Sequence, residues 1–219
     1  MTDRSFKINE RNRVKRGHNR AHYDEAVVYD ILDSHFLCHV SFEIEGQPHI
    51  IPTCHWREGN RLYWHGSSKS MMIRHLSGGN PASVCVTHLD GLVLARSAFN
   101  TSVNYRSVIC YGIPELVTDT TEFNRQMELF FEMLAPGRWP QLRPMTEQER
   151  KATGLLVMEI EDASAKVRAA PPGDAEEAEY PVWSGVVPFG TSQLIPEVAP
   201  EGEKAPLNHG LMPDYDWNR

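Results

Sequence analysis

Residues 82–99 read ASVCVTHLDGLVLARSAF. Two β-rich runs, 82–89 and 92–99, flank the pair Asp90-Gly91. An Asp-Gly pair in that setting predicts a two-residue type I′ hairpin, because both turn positions want φ > 0. The neighbouring sequence continues the theme. Upstream, 36–44 (FLCHVSFEI) alternates, Gly46-Gln47 turns the chain, and 48–56 (PHIIPTCHW) reads as a second strand. Glu58-Gly59-Asn60 is turn chemistry, and 61–65 (RLYWH) is a third strand. Downstream, 104–117 is a long strand bent near Gly112 and Pro114. The segment 155–160 (LLVMEI) closes the series, with 164–168 (SAKVR) continuing it.

Helical periodicity appears only between these runs. Val27, Val28, Ile31 and Leu32 share a face within 23–34, behind Asp24 as cap. Residues 67–76 form a short helix capped by Ser67 or Ser68, stopped at Gly78-Gly79-Asn80-Pro81. Phe123, Met127, Phe130, Phe131 and Leu134 make 120–134 amphipathic, and 146–152 is a further short helix. Six or seven strands thus arrive mostly in hairpins, with helices as decoration. The expected fold class is mainly β, an antiparallel barrel with peripheral helices, and a doubly wound parallel sheet is excluded. No GxGxxG follows a strand and no GxxxxGKS occurs, so Rossmann and Walker nucleotide sites lack support.

The chain has 219 residues, 41% hydrophobic and 23% charged, which excludes whole-chain disorder, collagen and coiled coil. No apolar run approaches a membrane span, and the N-terminal segment lacks a secretory pattern. A net charge of −7 argues against sequence-independent nucleic-acid binding. Cys38, Cys54, Cys85 and Cys110 form no CxxC pair and read as reduced core thiols of a cytoplasmic protein, with no metal site. The pairs His18/His22 and His35/His39 are expected to be surface or hydrogen-bonded residues rather than metal clamps. Charge divides the chain into a basic arm (1–20, seven Lys/Arg against two acids), a barrel domain (21–190) and an acidic, Pro-rich tail (191–219). The arm is expected to cross an acidic surface of its own or a partner subunit, and the tail to be extended.

Three segments can carry chemistry. His65-Gly66-Ser67-Ser68-Lys69 lies where a strand ends and a helix begins, and helix-start N–H groups with two hydroxyls and an ammonium suit a phosphate. The alternative is a capped helix with an exposed lysine. Pro52-Thr53-Cys54 interrupts an apolar strand, and a mid-strand proline implies an edge or bulge whose backbone can face a ligand. Asn104-Tyr105-Arg106-Ser107 can present hydrogen-bond groups to a ligand, or simply be polar outward positions.

The order HIIPTCHW, RLYWHGSSKS, HLDGLVLARSAFNTSVNYRSVICYG and SAKVR…PVWSGVVP resembles the pyridoxamine-5′-phosphate-oxidase-like FMN-binding split barrels over about residues 10–190. The branch it is most similar to is that of flavin-nucleotide-binding and nitroimidazole-resistance proteins. The resemblance implies a six-stranded antiparallel Greek-key barrel that forms a homodimer with FMN between subunits. It places the flavin ring along Pro52, Thr53 and Cys54, and the phosphate at His65, Gly66, Ser67, Ser68 and Lys69. It adds polar contacts from Arg106 and Ser107, and makes His65 a catalytic residue near the reactive centre. The implied activity is reduction of a small substrate such as a nitro-aromatic with a nicotinamide donor, NAD(P)H. The alternative is a non-catalytic flavin or haem carrier on the same barrel. The second strand carries His49 and no arginine, so vitamin B6 oxidation is not implied.

Overall fold

The computed structural model describes residues 4–177 and 179–190. In chain order the elements are β1 (Ala21–His22), α1 (Glu25–Asp33), β2 (Leu37–Ile44), β3 (Gln47–Glu58), β4 (Arg61–Ser67) and α2 (Met71–Leu76). There follow β5 (Ala82–Leu94), β6 (Ser102–Gly112), β7 (Pro114–Leu116), α3 (Thr120–Leu134), α4 (Glu147–Ala152), β8 (Thr153–Glu159), β9 (Asp162–Arg168) and β10 (Gly185–Pro188). The strands pair antiparallel in the order β1-β9-β6-β5-β2-β3-β4-β8-β7, with β10 on β5. The mainly β architecture with few helices is as expected. The strand count is corrected: where a six-stranded Greek-key split barrel was expected, ten strands form one sheet, and its end strands β1 and β7 do not pair with each other.

Two cores follow from strand alternation. On β2, residues 38, 40 and 42 are buried while 37, 39 and 43 are exposed. Val40, Val84, Val108, Cys110, Ala163 and Ala165 meet α1 and α2 in the first core. The second core gathers Trp56, Tyr63 and Leu155 under the apolar face of α3, through Phe123, Met127 and Phe130. On β4, Leu62 and Trp64 enter the first core and Tyr63 the second. Fully burying such side chains contributes roughly 1.5–3 kcal/mol each. Helix α3 spans the amphipathic stretch read from sequence, and the Asp119 carboxylate, not singled out there, accepts the Glu122 N–H at 2.8 Å, a contact typical of N-caps.

The Asp90-Gly91 hairpin is a correction. Strand β5 runs straight through the pair, and the reversal into β6 occurs over 95–101. The ladder slips between Leu89↔Tyr105 and Gly91↔Asn104, leaving Asp90 as the extra residue of a bulge. Gly91 is there for space, not for a positive φ: a Cβ would lie 2.7 Å from the Val187 carbonyl oxygen of β10. Asp90 is held by an ion pair to Arg106 (2.9 Å) and by Phe189 N–H donating to its carbonyl (3.0 Å).

The single strand 104–117 also divides. Its first part, β6, pairs with β5 and β9; its last part, β7, crosses to β8. The break falls after Gly112, where a Cβ would meet the Glu159 carbonyl oxygen at 2.4 Å. The basic arm lies on its own chain. Phe6 joins the first core, and Arg11 ion-pairs with Glu161 (2.9 Å) and with Asp162. The expected tail 191–219 lies outside the described residues.

Candidate functional site

Strands β3 and β4 pair over only four positions, from Glu58↔Arg61 to His55↔Trp64. Continuing that register would match His65 with Cys54, Gly66 with Thr53 and Ser67 with Pro52. Those rungs are not made. Residues Gln47–Cys54 pair with β2 alone, and His65–Ser67 pair with β8 alone. The ladder therefore opens, and two segments singled out from sequence face each other across the opening. Pro52 sits on the stretch of β3 that has one neighbour, which is where a strand tolerates a residue without an N–H. The edge of this stretch leaves alternate backbone groups without ladder partners.

His65 forms one wall. Its ring lies 4.7 Å from Phe130 edge-on and 6.0 Å from Trp56, at the rim of the second core, where Cys54 also packs. Its Nδ1 is buried and has no hydrogen-bond partner among the described residues. Burial lowers its pKa, so the ring is neutral at pH 7. Burial likewise raises the Cys54 thiol. As strand alternation implied, His65 shares a face with Tyr63.

Beyond His65 the chain turns outward. The Ser67 hydroxyl accepts the Lys69 N–H at 3.3 Å, and the Ser68 hydroxyl donates to the Lys151 carbonyl at 2.9 Å. Ser67 and Lys69 are exposed. The helix cap is corrected: Ser70, not Ser67 or Ser68, accepts the Ile73 N–H at 3.3 Å. Ser67 is thereby left at the end of β4, its hydroxyl engaged only by the Lys69 backbone N–H among the hydrogen bonds of this turn. Gly66 stands opposite Gly154 on β8, where a Cβ would overlap Ile73 of α2 at 2.4 Å. Small residues here bring α2 close to the strand ends.

Arg106 and Ser107 are not brought to this opening within one chain. They lie on β6, separated from β3 by β5 and β2, about 14 Å at ~4.8 Å per strand. The Arg106 guanidinium holds Asp90, and the Ser107 hydroxyl lies 3.5 Å from the Lys166 carbonyl oxygen. Asn104 is occupied with Arg168 and the Ala170 N–H.

Sequence reasoning expected apolar strand faces uncovered in a single chain but did not name the residues of the one that adjoins the opening. By register, Leu37, Ile50, Pro52, Cys54, Cys85 and Ile109 all point away from the first core. Ile50 is 63% exposed. The signal was available in 48–56, whose outward residues Pro48, Ile50, Pro52 and Cys54 are apolar where a solvated face would be polar. No group of three or more metal-ligating side chains occurs among the described residues. A separate cavity of about 580 Å³ between β4, β7, β8 and α3 is lined by Glu115, Asp119 and Glu122 and by arginines paired with carboxylates. No helix among the described residues is long and apolar enough to cross a membrane.

Comparison with known proteins bears on this geometry. Residues 24–167 match the family model described as pyridoxamine 5′-phosphate oxidase. The flavocytochrome Anf3 from Azotobacter vinelandii is 40% identical, with a TM-score of 0.85, covering 90% of this chain and 93% of that one. The FAD and heme binding protein from Mycobacterium smegmatis is 34% identical, with a TM-score of 0.80, covering 85% and 94%. A putative 5-nitroimidazole antibiotic resistance protein from Bacteroides thetaiotaomicron shares the fold at 17% identity and a TM-score of 0.57, covering 67% and 86%. No curated protein matches. The family match spans well over half of the chain and two relatives exceed 30% identity, so this chain belongs to the pyridoxamine 5′-phosphate oxidase family.

Proposed function

We propose that the chain binds a flavin nucleotide in the opening between β3 and β4 and works as a redox protein, with a haem as the flavin's electron partner. The observation that carries the flavin half is the unmade ladder. An open backbone edge at Pro52–Cys54 faces the half-buried His65, with the exposed residues Ser67 and Lys69 following at one end. A tricyclic ring with a hydrogen-bonding edge and a phosphate tail fits that order of groups. A flavin supplies one- and two-electron transfer, and the protein supplies binding, orientation and electrostatics. Support for haem comes from the two relatives above 30% identity, one named a flavocytochrome and the other named for FAD and heme.

The FMN expected from the sequence widens here to FMN or FAD. Ser67 and Lys69 would meet a phosphate present in both, and one relative is named for FAD. A second copy of the chain would cover the apolar face and bring Arg106 and Ser107 to the partner's opening, completing the expected shared site. Reduction of a small substrate such as a nitro-aromatic, with a nicotinamide donor, is the second reading. The half-buried His65 at the opening favours it, because a neutral imidazole there can exchange a proton with a substrate.

The test is a titration of the purified chain with FMN, FAD and riboflavin, repeated with Lys69→Ala. A charge-assisted phosphate contact contributes about 1.5–3 kcal/mol. Lys69→Ala is therefore expected to weaken FMN and FAD roughly ten- to hundredfold and to leave riboflavin nearly unchanged. Equal loss for all three ligands moves the phosphate elsewhere. Absence of saturable flavin binding overturns the reading.

A further inference from the structure

Helix α3 and the chain that returns from it to α4 enclose a groove of about 550 Å³ that the flavin reading does not use. The returning wall is held at both ends. Where α3 stops, the Glu132 carboxylate accepts the Gly137 N–H at 2.9 Å, and Gly137 takes a positive φ of 73° that turns the chain back. A short 3-10 turn, Trp139–Gln141, follows. At the other end Arg143 forms an ion pair with Glu149 at 2.6 Å, and Thr146 and Glu149 make a reciprocal cap on α4. These contacts fix the wall without a ligand.

The wall is largely apolar. Trp139, Leu142, Pro144 and Met145 line the groove, and the Trp139 ring packs on Phe131 at 5.3 Å. Its charges are balanced at every position but one. Arg143 is taken by Glu149, and Glu147 by Lys151 at 2.6 Å. Arg150, half-buried in the last turn of α4, also lines the groove, and its guanidinium has neither a carboxylate partner nor a hydrogen bond among the described residues. Partial removal of an unpaired guanidinium from water costs free energy, which a bound carboxylate offsets through two parallel N–H···O bonds. An indole face suits a planar ring. Phe131 and Phe130 stand in series between Trp139 and His65, so the groove is separate from the opening.

We propose that this groove binds a small aromatic carboxylate, its ring against Trp139 and its carboxylate on Arg150. The site goes beyond the flavin-and-haem reading and does not depend on it. One uncompensated cation among apolar side chains matches a ligand with one carboxylate and an apolar body. A neutral aromatic would leave Arg150 unpaired, and a non-planar acid would forgo the flat contact with Trp139.

The experiment titrates the full chain with 2-naphthoate, 2-naphthol and cyclohexanecarboxylate, and follows the indole N–H resonance of Trp139, assigned with Trp139→Phe. Naphthoate is expected to shift that resonance saturably and to bind at least about tenfold more tightly than either other probe. Arg150→Gln should bind naphthoate at least about tenfold more weakly, with naphthol and flavin binding as in the unmodified chain. Because Arg150 has no internal partner to strand, the variant keeps its fold, which circular dichroism melting checks. Should it fail to fold, Arg150→Lys keeps the charge without the paired geometry and is expected to weaken naphthoate severalfold. No saturable shift of Trp139, equal affinity for naphthoate and naphthol, or unchanged naphthoate affinity in either Arg150 variant overturns the site. Cyclohexanecarboxylate bound as tightly as naphthoate overturns the aromatic class. Joint loss of flavin and naphthoate in Arg150→Gln overturns a separate site by making the groove part of the flavin pocket. An unmodified chain that binds naphthoate but no flavin overturns the flavin reading and leaves this proposal standing.

Discussion

His55 is fully buried at the end of α1, bonded through Nε2 to a helix carbonyl, while its Nδ1 has no partner among the described residues. Burial pushes its pKa down to about 4, outweighing the backbone hydrogen bonds that raise it. The folded state therefore binds fewer protons than the unfolded chain between about pH 6.5 and 4, and stability falls as pH falls through that window. At about 1.4 kcal/mol per unit the loss is roughly 3 kcal/mol by pH 4. Denaturant midpoints from pH 4 to 7 should show a decline that His55→Gln flattens; an equal slope in the variant excludes His55 as its source. His65 is lowered in the same direction, by burial alone. Its test is functional. His65→Gln is expected to keep fold and flavin affinity and to slow reduction of an added acceptor at least about tenfold. A lowered melting temperature with unchanged turnover would return this ring to the core.

At the scale of elements, the junction of β5 and β10 is the most sensitive to single atoms. Strand β10 pairs with Gly91–Leu94 on the edge of β5 beyond the reach of β2. The Asp174 carboxylate ties the same region together, accepting the Arg96 backbone N–H and the Ser184 hydroxyl. Gly91→Ala would set a methyl 2.7 Å from the Val187 carbonyl oxygen, which a backbone cannot easily yield. The expected result is local detachment: amide exchange over 185–188 faster by about tenfold or more, with the melting temperature nearly unmoved. Unaltered exchange there would show that the strand can shift to accept the methyl. A global loss of stability would mean that β10 is part of the cooperative core.

For the whole molecule, the exposed apolar face and the one-sided edge of β3 point to assembly. Leu37, Ile50, Leu89 and Ile109 are all more than a third exposed on one side of a single sheet. Contiguous patches of this kind mark interaction surfaces. A twofold copy would cover them and supply each opening with the partner's Arg106 and Ser107. We expect a solution mass of twice the 24.9 kDa chain. Ile50→Asp, which places a charge on a residue 63% exposed in one chain, should yield a folded monomer with weakened flavin binding. A monomeric unmodified chain at micromolar concentration, with flavin present, removes the basis for a shared site.

What the sequence by itself determined was local. The alternation of 36–44 and 48–56 and the apolar spacing of 120–134 are short-range patterns, and β2, β3 and α3 form where they indicate. The segments Pro52–Cys54 and His65–Lys69 were legible as candidates because a mid-strand proline and a strand-to-helix step have local meaning. That they face each other depends on where the ladder between β3 and β4 stops, and each strand's other neighbour decides that. Asp90-Gly91 shows the same limit. The pair has turn chemistry, yet an arginine sixteen residues away takes the carboxylate and a strand nearly a hundred residues away takes the space beside the glycine. A two-residue signal contributes about 1 kcal/mol of preference, which a pairing ladder and an ion pair together exceed. The outward placement of Leu37, Ile50 and Ile109 on one face was likewise invisible along the chain, because these residues come from separate strands and meet only in the folded sheet.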